Sequence, residues 1–115
     1  MEFNGDSGTN YSTSILTGTG SAASSTRYTS ATKAYIDFNA YADATNNENI
    51  IVQIMNYSNT TTNKTALSRS NNAATGVDAN VSLWRSTAAI NSIRIYQANN
   101  FATSSTFTLY GIKAA

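Results

Sequence analysis

Apolar residues recur at every second position in short runs, and Asn, Gly, Ser or Asp clusters bound each run. This pattern makes β-strands the dominant element of the chain. In Tyr35 to Ala44, the set Ile36, Phe38, Ala40 and Ala42 alternates with Tyr35, Asp37, Asn39 and Tyr41, which predicts a half-buried strand with one wet face. From Val77, the set Val77, Ala79, Val81 and Leu83 alternates with Asp78, Asn80, Ser82 and Trp84. The aliphatic members are expected to face the core.

The same reading places seven or eight strands. Glu2-Phe3 runs into Asn4-Gly5, a pair suited to the positive φ angles of a tight hairpin, and Tyr11 to Leu16 follows as its partner. Gly18 to Ser25 reads as a loop and Arg27 to Ser30 as a short edge strand. Ile50 to Tyr57, the most apolar stretch, is predicted to be a central strand. Thr65 to Ser70, Val77 to Trp84 and Ile93 to Tyr96 continue the series, and Thr106 to Ile112 is predicted to close it as a last core strand. Ser86 to Asn91 offers at most one helical turn. Short strands without helical spacers predict one all-β domain over residues 1–115, an antiparallel, jelly-roll-like β-sandwich.

Composition narrows the function classes. Thr, Ser and Asn number 17, 15 and 15, while charged residues are only 11% of the chain, so the surface is expected to be solvated by hydroxyls and amides rather than by charge. The 12 aromatics and repeated Ile/Val runs argue against disorder. Net charge is +1 with the cations scattered singly, which supplies no stripe for a phosphate backbone and makes nucleic acid an unexpected partner. No apolar run approaches the roughly 20 residues of a membrane helix. Histidine and cysteine are absent, removing the usual general base, the thiol nucleophile and the commonest metal ligands. No cofactor is implied and no catalytic residue is nominated. Asp37 and Asp43, on one regular strand, would stand about 20 Å apart, beyond the spacing of a glycosidase pair.

Asn4-Gly5-Asp6-Ser7-Gly8 loosely matches an oxygen-rich calcium loop, but the simpler reading is a turn in which Asp6 bonds its own backbone. Five N-x-S/T sequons, at Asn10, Asn56, Asn59, Asn63 and Asn80, are what chance gives in so Asn- and Thr-rich a chain. Tyr57, Trp84 and Tyr96 lie opposite the aliphatic sets. They fit either a glycan-binding surface or a second packed face, against another sheet or a neighbouring subunit.

Three blocks carry a resemblance. They are Leu83-Trp84-Arg85-Ser86-Thr87-Ala88-Ala89-Ile90-Asn91-Ser92-Ile93, the closing Asn100-Phe101-Ala102 and Ser105-Thr106-Phe107-Thr108-Leu109-Tyr110-Gly111-Ile112-Lys113, and the opening Phe3-Asn4-Gly5-Asp6-Ser7-Gly8-Thr9-Asn10-Tyr11-Ser12 with Gly20 to Ser25. The chain resembles virion structural proteins of tailed bacteriophages, especially those of marine and cyanobacterial hosts. The resemblance spans nearly the whole sequence, with little of it in Lys33 to Asn49. It implies a non-enzymatic particle component located in the virion, on a tail, a fibre or the capsid surface. The partners it implies are other virion proteins or further copies of the chain as a homo-oligomer, and in a receptor-binding version a host surface glycan. Relatives of this kind carry strands ahead of the Phe-Asn-Gly block, which begins here at Phe3. Glu2, Phe3 and Asn4 are therefore expected to form an edge open to pairing with a neighbouring subunit.

Overall fold

The computed structural model describes residues 1–39, 49–72, 74–97 and 100–112. They form seven strands: β1 (Glu2–Phe3), β2 (Tyr11–Gly18), β3 (Ala23–Ala31), β4 (Asn49–Met55), β5 (Lys64–Asn72), β6 (Gly76–Trp84) and β7 (Ile93–Arg94). Every pairing is antiparallel. The strands make a five-stranded sheet of order β3-β2-β6-β5-β4 and a two-stranded sheet β1-β7. The all-β, antiparallel class expected from the alternation is the class observed.

The two faces of the large sheet are inverted relative to the expectation. Asp78, Asn80, Ser82 and Trp84 of β6 are buried, while Val77, Ala79 and Val81 are exposed. β5 buries Ser68 and Ser70, and β2 buries Thr13. The cause is the segment 34–39, which was expected to begin a strand but crosses this face without joining any ladder. A backbone outside a ladder must find other partners for its N–H and C=O groups, and each one buried without a partner costs about 1–3 kcal/mol. Sheet side chains supply them. Tyr35 N donates to Thr13 Oγ1 at 3.3 Å, and Ser82 Oγ donates to Tyr35 O at 3.3 Å. Ser68 Oγ and Asn80 Nδ2 donate to Ile36 O at 3.2 and 3.1 Å. The hydroxyls and amides expected on the surface are thus partly interior, where they anchor this strap. The remainder of the expected strand, Ala40 to Ala44, lies outside the described residues.

The apolar core sits at one end of the same face, where the small sheet closes over the large one. Phe3 packs against Trp84 and Tyr11 with ring centroids 5.5 and 6.2 Å apart, joined by Met1, Ala34, Ala66 and Ile90. Val52 and Ile54 of β4 pack against this cluster from the side.

Three further expectations are corrected. Asn4 and Gly5 do form a tight turn, with φ of 53° and 70° and a 2.9 Å bond from Asp6 N to Phe3 O, but no hairpin follows. β1 pairs with β7 rather than β2, because the Tyr11 side chain stands where a ladder would begin and its hydroxyl accepts from Phe3 N at 3.0 Å. Among the described residues β4 is the edge strand of the large sheet, not a central one; it is apolar on both faces because one packs on the core cluster and the other joins the second face of the sheet. Thr106 to Ile112 belongs to no strand.

Candidate functional site

The face of the large sheet opposite the strap carries exposed apolar side chains that no other strand covers among the described residues. The register fixes its membership. Leu16 opposes Ala79, which opposes Arg69, which opposes Ile51. One row along, Ser14 opposes Val81, which opposes Leu67, which opposes Gln53. Leu16 is 64% exposed, Val77 50% and Val81 51%. The twist of the sheet makes the surface a shallow groove of about 880 Å³, lined by Leu16, Ile51, Leu67 and Val81 with Arg27 and Arg69 among them.

Among the described residues, the strands of the large sheet bring two guanidinium groups and no carboxylate to this face, since their one acidic residue, Asp78, points into the strap. Such a surface can bury apolar area against another surface, with the arginines placed to meet carboxylates.

Asp78, Asp37 and Asp6 each accept hydrogen bonds away from this face. Asp78 is buried and accepts from Thr17 Oγ1 at 2.6 Å, Asn39 N at 2.9 Å, Asn39 Nδ2 at 2.9 Å and Phe38 N at 3.1 Å. Asp37 accepts from Ser70 Oγ at 3.0 Å. Asp6 accepts from Gly8 N at 2.9 Å, the local turn expected for it, and also from Asn10 Nδ2 and from Trp84 Nε1 at 2.7 Å.

The residues nominated for glycan or subunit contact do not form one surface. Trp84 is 3% exposed and stacked on Tyr11 at 6.3 Å, so it takes part in the second packed face, within its own chain, and is not available to a sugar or a subunit. Tyr57 is exposed, and its carbonyl accepts from Ile90 N. Tyr96 is half-buried between two cations, with Lys33 Nζ 5.3 Å and the Arg94 guanidinium 5.1 Å from its ring centre.

Nor do Glu2, Phe3 and Asn4 present an open edge. One side of β1 pairs with β7, extended by a bond from Asn4 N to Ser92 O. On the other side Ala34 N donates to Met1 O, and the Phe3 N–H and C=O are taken by the Tyr11 hydroxyl and Asp6 N. The Asn4 side chain is engaged at both ends, donating to Ala89 O and accepting from Asn91 N and Ser92 N.

Leu16, Ile51, Leu67, Arg27 and Arg69 were not nominated from sequence. Their signal is present as alternation, but alternation states only that two faces differ. It does not say which one is covered. The described residues thus define an antiparallel β-scaffold that presents one apolar, arginine-bearing sheet face. Comparisons with family models, with curated proteins and with solved structures find no match for the chain.

Proposed function

We propose that the chain is a non-enzymatic structural protein that acts by assembly through the open face of its large sheet. The particle is a tailed-bacteriophage virion, into or onto which the protein packs. The observation that carries the reading is the contrast between the two sheet faces. One is closed by a hydrogen-bonded strap, while the other leaves Leu16, Val77 and Val81 half or more exposed on a continuous surface. Exposed apolar area of this kind marks an interaction surface more often than an ordinary protein exterior.

The resemblance to virion proteins supports the choice of particle, and two of its three blocks include fixed points of the scaffold, the Asn4-Gly5 turn and the Trp84 core. The glycan-binding alternative keeps Tyr57 and Tyr96 but loses Trp84, whose ring is interior. Without it there is no three-ring platform.

The test is biochemical. Antibody raised against the chain should decorate purified, salt-washed phage particles, and particles carrying Val81→Arg should lack the protein although the variant folds. Absence of the wild-type chain from washed particles would end the virion reading.

A further inference from the structure

The segment 100–112 is the least explained part of the molecule. After a turn closed by a bond from Ser105 N to Ala102 O, it runs on without a further turn or bend and pairs with no strand among the described residues. Its side chains are apolar on both parities: Phe107 is 61% exposed, Leu109 84%, Tyr110 83% and Ile112 85%. Phe107 touches Phe101, 5.0 Å away in the same segment. A peptide with apolar groups on both sides is the composition of a strand covered on both faces, not of a solvated tail.

We propose that residues 106–112 are a donor strand that adds to the free edge of β4 in a second copy of the chain. Three edges are open among the described residues, and they are not equivalent. The outer edge of the small sheet is only the two-residue β7. β3 is long, but its sequence ASSTRYTSA would set Leu109 and Ile112 beside hydroxyls and Arg27. β4, NIIVQIM, is paired on one side only and is itself apolar on both faces, with Val52 and Ile54 toward the core and Ile51 and Met55 toward the open face. A strand laid against it extends both faces with side chains of the same kind, while its backbone continues the ladder.

Area favours a second copy. The four exposed side chains offer on the order of 600 Å², taking ~150–250 Å² for each aromatic ring. Reciprocal donation buries two such segments together with the surface they cover, which passes the roughly 1,000 Å² expected of a specific interface. Reciprocity also closes the assembly, so that the exchange yields a defined oligomer rather than a fibre.

This inference deepens the assembly reading and rests on it only for the premise that the chain acts by association. Its test is separate from incorporation into particles. The full chain should sediment as a dimer or closed oligomer at high concentration, with amide hydrogen exchange slowed at 107–112 and at the outward-facing amides of β4. The double substitution Leu109→Asp with Tyr110→Asp, and independently Thr108→Pro, should give monomers and restore fast exchange at both places. Trp84 fluorescence should stay unchanged, because no residue of 106–112 belongs to the core cluster around Trp84. A wild-type monomer at all concentrations, an oligomer that survives both variants, or protection of 107–112 in a monomer would each overturn the proposal.

Discussion

The Trp84 indole N–H donates to the Asp6 carboxylate at 2.7 Å, joining the turn that follows β1 to the end of β6 across 78 residues of sequence. The bond explains how a large aromatic ring at the end of a polar strand face is held inside. Phe3 and Tyr11 cover its rings, and Asp6 satisfies its one polar group.

The first prediction concerns acid. The Trp84 indole, opposed by partial burial and helped by Asn10 and Gly8, holds the Asp6 carboxyl below its ordinary value of 3.8. A carboxyl whose pKa is lower in the folded chain stabilises the fold above the ordinary value and loses that contribution as pH falls through the folded value. Asp6→Asn should therefore flatten the acid limb of a stability-against-pH curve from chemical denaturation. It should cost about 1 kcal/mol at neutral pH, a charge-assisted hydrogen bond reduced for solvent access. An unchanged acid limb would show that the bond does not couple to folding.

The second concerns the strap. Asp78 accepts from the backbone N–H of both Phe38 and Asn39, which no ladder serves. Asp78→Ala leaves those donors and the Thr17 hydroxyl without their acceptor, an expected loss of about 3 kcal/mol from several unmade hydrogen bonds. Hydrogen exchange at Phe38 and Asn39 should accelerate more than exchange in β5 or β6. Equal acceleration everywhere would mean that the strap is not a separate unit of stability.

The third separates the two faces at adjacent residues. Val81 is half exposed and Ser82 is 3% exposed, so the sequence-level expectation and the structure predict opposite mutational outcomes. Val81→Asn should change stability by no more than about 0.5 kcal/mol, as for an open surface position. Ser82→Val should cost about 1–3 kcal/mol, because Tyr35 O loses the Ser82 donor and Thr13 Oγ1 keeps only its bond from Tyr35 N. Thermal unfolding of the two single variants is enough, and the reverse order would restore the aliphatic face to the core.

Strand existence was legible wherever turn residues bounded an alternating run, as in β2, β5 and β6. The choice of face was not. Val77, Ala79, Val81 and Leu83 look like a core set because burial of aliphatic groups is the usual driving force. The strap reverses the usual choice by requiring hydrogen-bond donors and acceptors beneath it, and its own alternation, Ile36 and Phe38 against Tyr35 and Asp37, reads as a ladder strand rather than as a crossing segment. The same blindness misplaced β4, where apolar residues on both faces suggested a central strand. Of the candidate residues, Trp84 is nominated as a contact for a glycan or a subunit, whereas its ring is interior and its role depends on Asp6 and Phe3, partners that no local pattern brings together.

The last prediction tests the opening turn. Asn4 and Gly5 hold φ of 53° and 70°, a left-handed pair that allows Asp6 to swing back toward Trp84. Nothing lies within 4 Å of a Cβ built on Gly5, so Gly5→Ala meets no clash and reports backbone strain alone, about 1 kcal/mol. Asn4→Ala adds to a comparable strain the loss of three hydrogen bonds, to Ala89 O, Asn91 N and Ser92 N, that tie the turn to the segment leading into β7. Its expected cost is about 2–3 kcal/mol. The two variants should also differ in place. Gly5→Ala lowers the unfolding midpoint without altering local exchange near Ile93, whereas Asn4→Ala frees the amides of Asn91 and Ser92 and loosens the β1–β7 pair. If both variants lower stability equally and leave Asn91 and Ser92 protected, the Asn4 side chain is not what holds the small sheet in place.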